Sequence, residues 1–127
     1  MAMHRASPGE ILDLAPLGTG LKDARTTAIV KSETFEVVHL IVHAGVDIKT
    51  HKVDGPITLH CLEGRAQLSL PDKIVELPSG GWLYLEGGVE HSLKGIEDTS
   101  LLLTIFFPSG LDMRARGEER VDTKSQQ

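Results

Sequence analysis

Six histidines and a single cysteine are the side chains of this chain best suited to chemistry near neutral pH. An imidazole titrates close to physiological pH, so it can shuttle a proton, hold an anion or offer a lone pair to a metal ion. His39 and His43 share one alternating face with Phe35, Val37 and Ile41, while Val38, Leu40 and Val42 make up the other. The uniformly apolar set is expected to face a core, which leaves His39 and His43 outward or interfacial. Cys61 is the only cysteine, so it has no disulfide partner and cannot form a thiolate cluster. No helix start or basic cluster stands near it to activate the thiol, and it is expected to pack as a small hydrophobe. Dinucleotide, phosphate-loop and nucleophile-elbow chemistries are set aside, because Gly-x-Gly-x-x-Gly, a phosphate-binding loop and Gly-x-Ser-x-Gly are all missing from the sequence.

The elements that must position these residues read as strands. Short apolar or β-branched runs cover 26–32, 34–43, 57–62, 66–70, 74–77, 82–85 and 100–107. Turn signals separate them, among them Asp54-Gly55-Pro56, Glu63-Gly64, Pro71-Asp72, Gly80-Gly81 and Gly87-Gly88. That spacing predicts an all-β sandwich or barrel. The stretch 15–25 has room for one short helical turn, with Gly18 and Gly20 opposing anything longer. The run Leu101-Leu-Leu-Thr-Ile-Phe-Phe107 is apolar on both alternating faces, so both are expected to be covered. The second cover would come from the N-terminal segment or from another subunit, and a homodimer is expected.

A chain of 127 residues fits one domain with one core. We divide it into an N-terminal segment (1–25, partly ordered), a barrel domain (26–108) and a charged C-terminal tail (109–127) expected to be solvated. No apolar run approaches the roughly 20 residues needed to cross a bilayer, so no membrane partner is expected. The start lacks the apolar region of a secretory signal, which points to a cytoplasmic location. A formal charge of -5 argues against nucleic acid as a partner.

Two segments carry a family resemblance: Gly45-Val-Asp-Ile-Lys-Thr-His51-Lys-Val53 running on to Gly64, and Gly80-Gly-Trp-Leu-Tyr-Leu-Glu86-Gly-Gly88-Val-Glu-His91. Their glycine and histidine spacing resembles the paired motifs of the cupins. In that family the first motif is Gly, five residues, His-x-His, three or four residues, Glu, six residues, Gly. The second is Gly, five residues, Pro-x-Gly, two residues, His, and three residues later Asn. Gly45, His51 and Gly64 match the first, and Gly80, Gly88 and His91 the second. Val53 stands where the second His belongs, Ile57 at the Glu and Glu86 at the Pro. The phrase Pro56-Ile-Thr-Leu-His-Cys-Leu-Glu-Gly64 also resembles a subset of small cupins of unassigned function. The resemblance implies a jelly-roll barrel, that is, a double-stranded β-helix, commonly dimeric.

It also implies that His51 and His91 are neighbours at one mouth of the barrel. If His51 points inward, alternation places Val53, Ile57, Leu59 and Cys61 on its side and turns His60 away. The expected pocket is therefore His51, His91, Val53, Ile57, Leu59 and Cys61, continued by Val38 and Leu40. Two imidazoles fall short of the three protein ligands that a firmly held divalent metal wants, so any transition metal would be weakly held. A bulge after Pro56 would swing His60 inward as a third ligand. Trp82 and Tyr84 share a strand face and read as core or dimer contacts, and Glu86 reads as an exposed loop charge.

These residues predict a barrel that binds a small, largely apolar molecule, with the histidines as polar anchors. Two other readings stand beside it. One is a metal-dependent enzyme of dioxygenase or isomerase type using His51, His91 and His60. The other is a barrel filled by its own side chains that acts through its surface. Whether the chain catalyses any reaction is left open.

Overall fold

The computed structural model describes residues 4–51 and 53–108, with the side chains of residues 49–51 outside that description. Nine strands follow one another: β1 (Thr27–Lys31), β2 (Phe35–Val42), β3 (Asp47–His51), β4 (Ile57–Glu63), β5 (Arg65–Ser69), β6 (Ile74–Pro78), β7 (Trp82–Leu85), β8 (His91–Gly95) and β9 (Thr99–Phe106). They form two sheets, one ordered β1-β2-β9-β4-β7 and the other β3-β8-β5-β6. Every ladder between these strands is antiparallel. A six-residue 3-10 helix, Gly18–Asp23, occupies the stretch where a short helical turn was expected.

Alternation builds the barrel interior. On β4 the residues Ile57, Leu59 and Cys61 are buried, while Thr58 and His60 between them are only partly so. Leu68 on β5, Leu93 on β8 and Leu101 on β9 meet them from the neighbouring strands in one continuous core. A second, smaller cluster lies outside the barrel, where Leu21 and Ala24 pack on Ile41. The N-terminal segment thus covers the outer face of β2 at Ile41, whose β9 partner is Ser100, rather than the 101–107 run for which a second cover was expected. The Glu63 carboxylate fastens it, accepting the backbone N–H groups of Leu17 at 2.8 Å and Gly18 at 2.9 Å.

Two strands escaped the sequence reading, β3 and β8. Asp47-Ile-Lys-Thr-His51 and His91-Ser-Leu-Lys-Gly95 are short and charged on their outward side, with few β-branched or aromatic residues. Pairing across the sheet makes them strands, β8 lying between β3 and β5. Gly64 makes the β4–β5 connection possible: its φ is 90°, and a Cβ there would collide with the Asp98 carbonyl oxygen.

Candidate functional site

Gly88, with φ of 84°, turns the chain just before β8, and its N–H donates to the Val53 carbonyl at 2.8 Å. That bond ties the loop leading into His91 to the segment between β3 and β4. His91 opens β8 with its side chain buried at 7% exposure. Its Nδ1 lies 3.1 Å from the Val89 carbonyl oxygen. A carbonyl can only accept, so Nδ1 carries the proton and, in the neutral ring, Nε2 holds the lone pair.

Nε2 belongs to a ring that borders a partly enclosed cavity of about 90 Å3. The wall is Leu40 from β2, Ile48 from β3, Val53 from the following loop, Ile57 and Leu59 from β4, Leu93 from β8, and Leu103 and Ile105 from β9. His91 is the single polar side chain among these lining residues. Liquid water takes about 30 Å3 a molecule, and a cavity of about 150 Å3 is known to hold benzene. The space therefore suits a group of about four heavy atoms in proportion.

Of the residues expected at the pocket, Val53, Ile57, Leu59 and His91 line this cavity. Cys61 does not: it is fully buried one alternation deeper, paired with Leu101, with its Sγ 3.6 Å from the Glu63 and Gly64 carbonyls. Burial pushes its thiol pKa up, which keeps it protonated and unreactive. Leu40 lines the wall but Val38, on the same face, does not. Four wall residues were missed. Ile48 and Leu93 sit on the two unread strands, and Leu103 and Ile105 on β9, whose two apolar faces hid which one turned inward.

The expected ligand His51 is the register partner of His91 across β3 and β8. Its side chain lies outside the described residues. His60 corrects the three-histidine idea. The β4–β9 register runs unshifted from Ile57 to Cys61, so no bulge inverts the strand, and His60 stays on the face opposite Leu59. Its cross-strand partners are Leu102 and Trp82. Trp82 and Tyr84 are not core residues but are 60% and 52% exposed, and Glu86 is exposed too.

His39 lies on the barrel's outer face yet is buried, its Nε2 2.7 Å from Ser100 Oγ, and burial lowers its pKa. His43 buries an Nε2 that has no hydrogen-bond partner among the described residues. No cluster of three or more His, Cys, Asp or Glu side chains exists among the described residues. The described donors at the cavity amount to one imidazole, which does not fit a firmly bound divalent metal.

No family model and no curated protein sequence matches the chain. Solved structures do. A conserved protein of unknown function from Streptococcus pyogenes superposes with a TM-score of 0.69 at 16% identity, covering 87% of this chain and 97% of that one. A cupin superfamily protein from Desulfitobacterium hafniense gives a TM-score of 0.64 at 16% identity over 65% of this chain and 76% of that one. An oxalate decarboxylase from Bacillus subtilis gives 0.56 at 21% identity, over 60% of this chain but only 22% of the enzyme. No helix among the described residues is long and apolar enough to cross a membrane.

Proposed function

We propose that this chain, which has the fold of a small cupin, binds a small and mostly apolar molecule carrying one hydrogen-bonding group. One observation carries the reading: an apolar cavity whose described lining has His91 as its single polar side chain. The ligand's body would displace water from the leucine and isoleucine wall, at about 25 cal/mol per Å2 of apolar area buried. Its polar group would meet the His91 imidazole, with His51, the backbone register partner of His91, as the proposed second anchor. A small ligand gains at most about 1.5 kcal/mol per heavy atom, so about four atoms give no more than about 6 kcal/mol. That corresponds to tens of micromolar at best. A tighter ligand would have to extend beyond the cavity.

A homologous series tests this: alcohols, ketones and carboxylic acids of two to eight carbons, titrated calorimetrically into wild type and His91→Leu. Binding should peak near four heavy atoms and weaken at least tenfold in the variant. No binding at any length up to 10 mM, or equal binding by the variant throughout, defeats the reading.

The second reading is the metal-dependent enzyme, of dioxygenase or isomerase type. Its support is the register that sets His51 opposite His91 across β3 and β8. Two protein ligands would hold a divalent transition metal weakly. Mass spectrometry on protein purified without a metal-affinity step separates the readings. A near-stoichiometric metal lost in both His51→Ala and His91→Ala favours the enzyme, and a metal-free wild type favours the binding protein.

A further inference from the structure

The chain holds three phenylalanines, and all of them line one recess at the surface. Phe35 on β2 and Phe106 on β9 are register partners, and Phe107 follows directly after the end of β9. The segment before β4 supplies the other side, with Asp54, Gly55 and Pro56. The recess encloses about 560 Å3, within the roughly 300–1,000 Å3 of small-molecule sites. It shares no lining residue with the His91 cavity, although Ile105 and Ile57 of that cavity stand next in sequence to Phe106 and Pro56.

Backbone contacts fix its shape. The Phe106 N–H donates to the Pro56 carbonyl at 3.0 Å and the Phe107 N–H to the Thr34 carbonyl at 2.9 Å. Gly55 is buried, and a Cβ there would strike the Phe106 carbonyl oxygen, so glycine is what lets this segment close on β9. The rings are left partly in solvent, with Phe106 43% and Phe107 37% exposed. Asp54 is exposed too, and its carboxylate has neither a hydrogen bond nor an ion pair among the described residues. The lining residues include no Lys, Arg or His.

We propose that this recess binds a small organic ammonium ion, with its apolar substituents against the phenylalanine rings and its charge answered by Asp54. Ring chemistry and sign of charge argue for the same ligand. The face of an aromatic ring attracts a cation through its quadrupole, and quaternary ammonium groups are what clusters of such rings hold. An anion would meet the Asp54 carboxylate on a chain that carries -5 in all. A neutral apolar molecule would cover the rings and leave that carboxylate without a counter-charge. The rival occupant is the chain's own segment 109–127, which follows Pro108 at the recess and carries Arg114 and Arg116.

NMR titration of the full chain with choline tests this, against 3,3-dimethyl-1-butanol, which has the same shape with carbon in place of the charged nitrogen. Choline should bind saturably at millimolar concentration, shifting the amides of Thr34, Gly55 and Phe107 and leaving the methyls of Leu59 and Leu93 in place. The neutral analogue should bind at least tenfold more weakly. Asp54→Asn and Phe106→Leu, both at exposed positions, should each raise the choline dissociation constant at least fivefold with unchanged circular dichroism. No saturable shift up to 100 mM choline, equal binding of the neutral analogue, or wild-type affinity in both variants overturns the proposal. Binding that emerges only after Arg114→Ala and Arg116→Ala assigns the recess to the chain's own tail and overturns it too. A tenfold preference for a trimethyl-lysine peptide over choline would do the same for the small-molecule source.

Discussion

Leu59→Ala probes the cavity and the core together. Leu59 is 2% exposed, stands between Leu103 on β9 and Leu83 on β7, and forms part of the cavity wall. Removing three carbons forfeits about 2.4 kcal/mol of transfer free energy at about 0.8 kcal/mol each. The emptied space of roughly 60 Å3 adds about 1.4 kcal/mol at about 24 cal/mol per Å3. Together these give a loss of about 3–4 kcal/mol. The cavity grows from about 90 Å3 to about 150 Å3, the size that accepts benzene. Urea denaturation with and without benzene reads both effects. Benzene at twenty times its dissociation constant should restore about 1.8 kcal/mol to the variant. Wild type should gain far less, its cavity being too small. A loss below about 1.5 kcal/mol, or equal benzene stabilisation of the two proteins, refutes the packing described for this wall.

Three other perturbations follow. Burial holds the His39 imidazole below its ordinary 6.5, so as pH falls the unfolded chain takes up a proton before the folded one. The stability tied to His39 is present in full above pH 6.5 and lost as pH drops through the lowered folded value. Urea midpoints should therefore fall more steeply from pH 7 to 5 in wild type than in His39→Gln, and matching slopes would contradict this. Gly64→Ala should cost at least about 2 kcal/mol, from positive φ and the collision with Asp98, measured by thermal melting. A melting temperature within 3 °C of wild type would count against the turn. Glu63→Ala removes the acceptor of two N–H groups, and charge-assisted bonds contribute roughly 1.5–3 kcal/mol each. Amide exchange at Leu17 and Gly18 should accelerate at least tenfold while Leu59 keeps its protection.

How far the sequence could be read depended on where the physical signal was local. Strands such as β2 and β4 write their inward face as alternating apolar residues, so Leu40, Ile57 and Leu59 were legible as barrel interior. β3 and β8 carry no such signal, because their outward sides are charged and their conformation comes from pairing with distant strands. Ile48 and Leu93 were lost with them. On β9, Leu102 and Leu103 look alike in sequence, and only the register with β4 shows that Leu103 meets Leu59 inside while Leu102 meets His60 outside. The nearness of His51 and His91 was implied by the cupin resemblance, and the backbone register sets the two residues opposite each other. Cavity volume was not legible, because it depends on how side chains from six segments fill the same space.

Methyl NMR on the wild-type chain tests the central claim most directly. Leucine, isoleucine and valine methyls are followed while a three-carbon alcohol or a two-carbon carboxylic acid, each of four heavy atoms, is titrated in. The account expects saturable one-to-one shifts at Leu59, Ile57, Leu93 and Leu103, smaller for eight-carbon probes and abolished by His91→Leu. Shifts confined to methyls outside the cavity, or none at any probe concentration up to 10 mM, would contradict it.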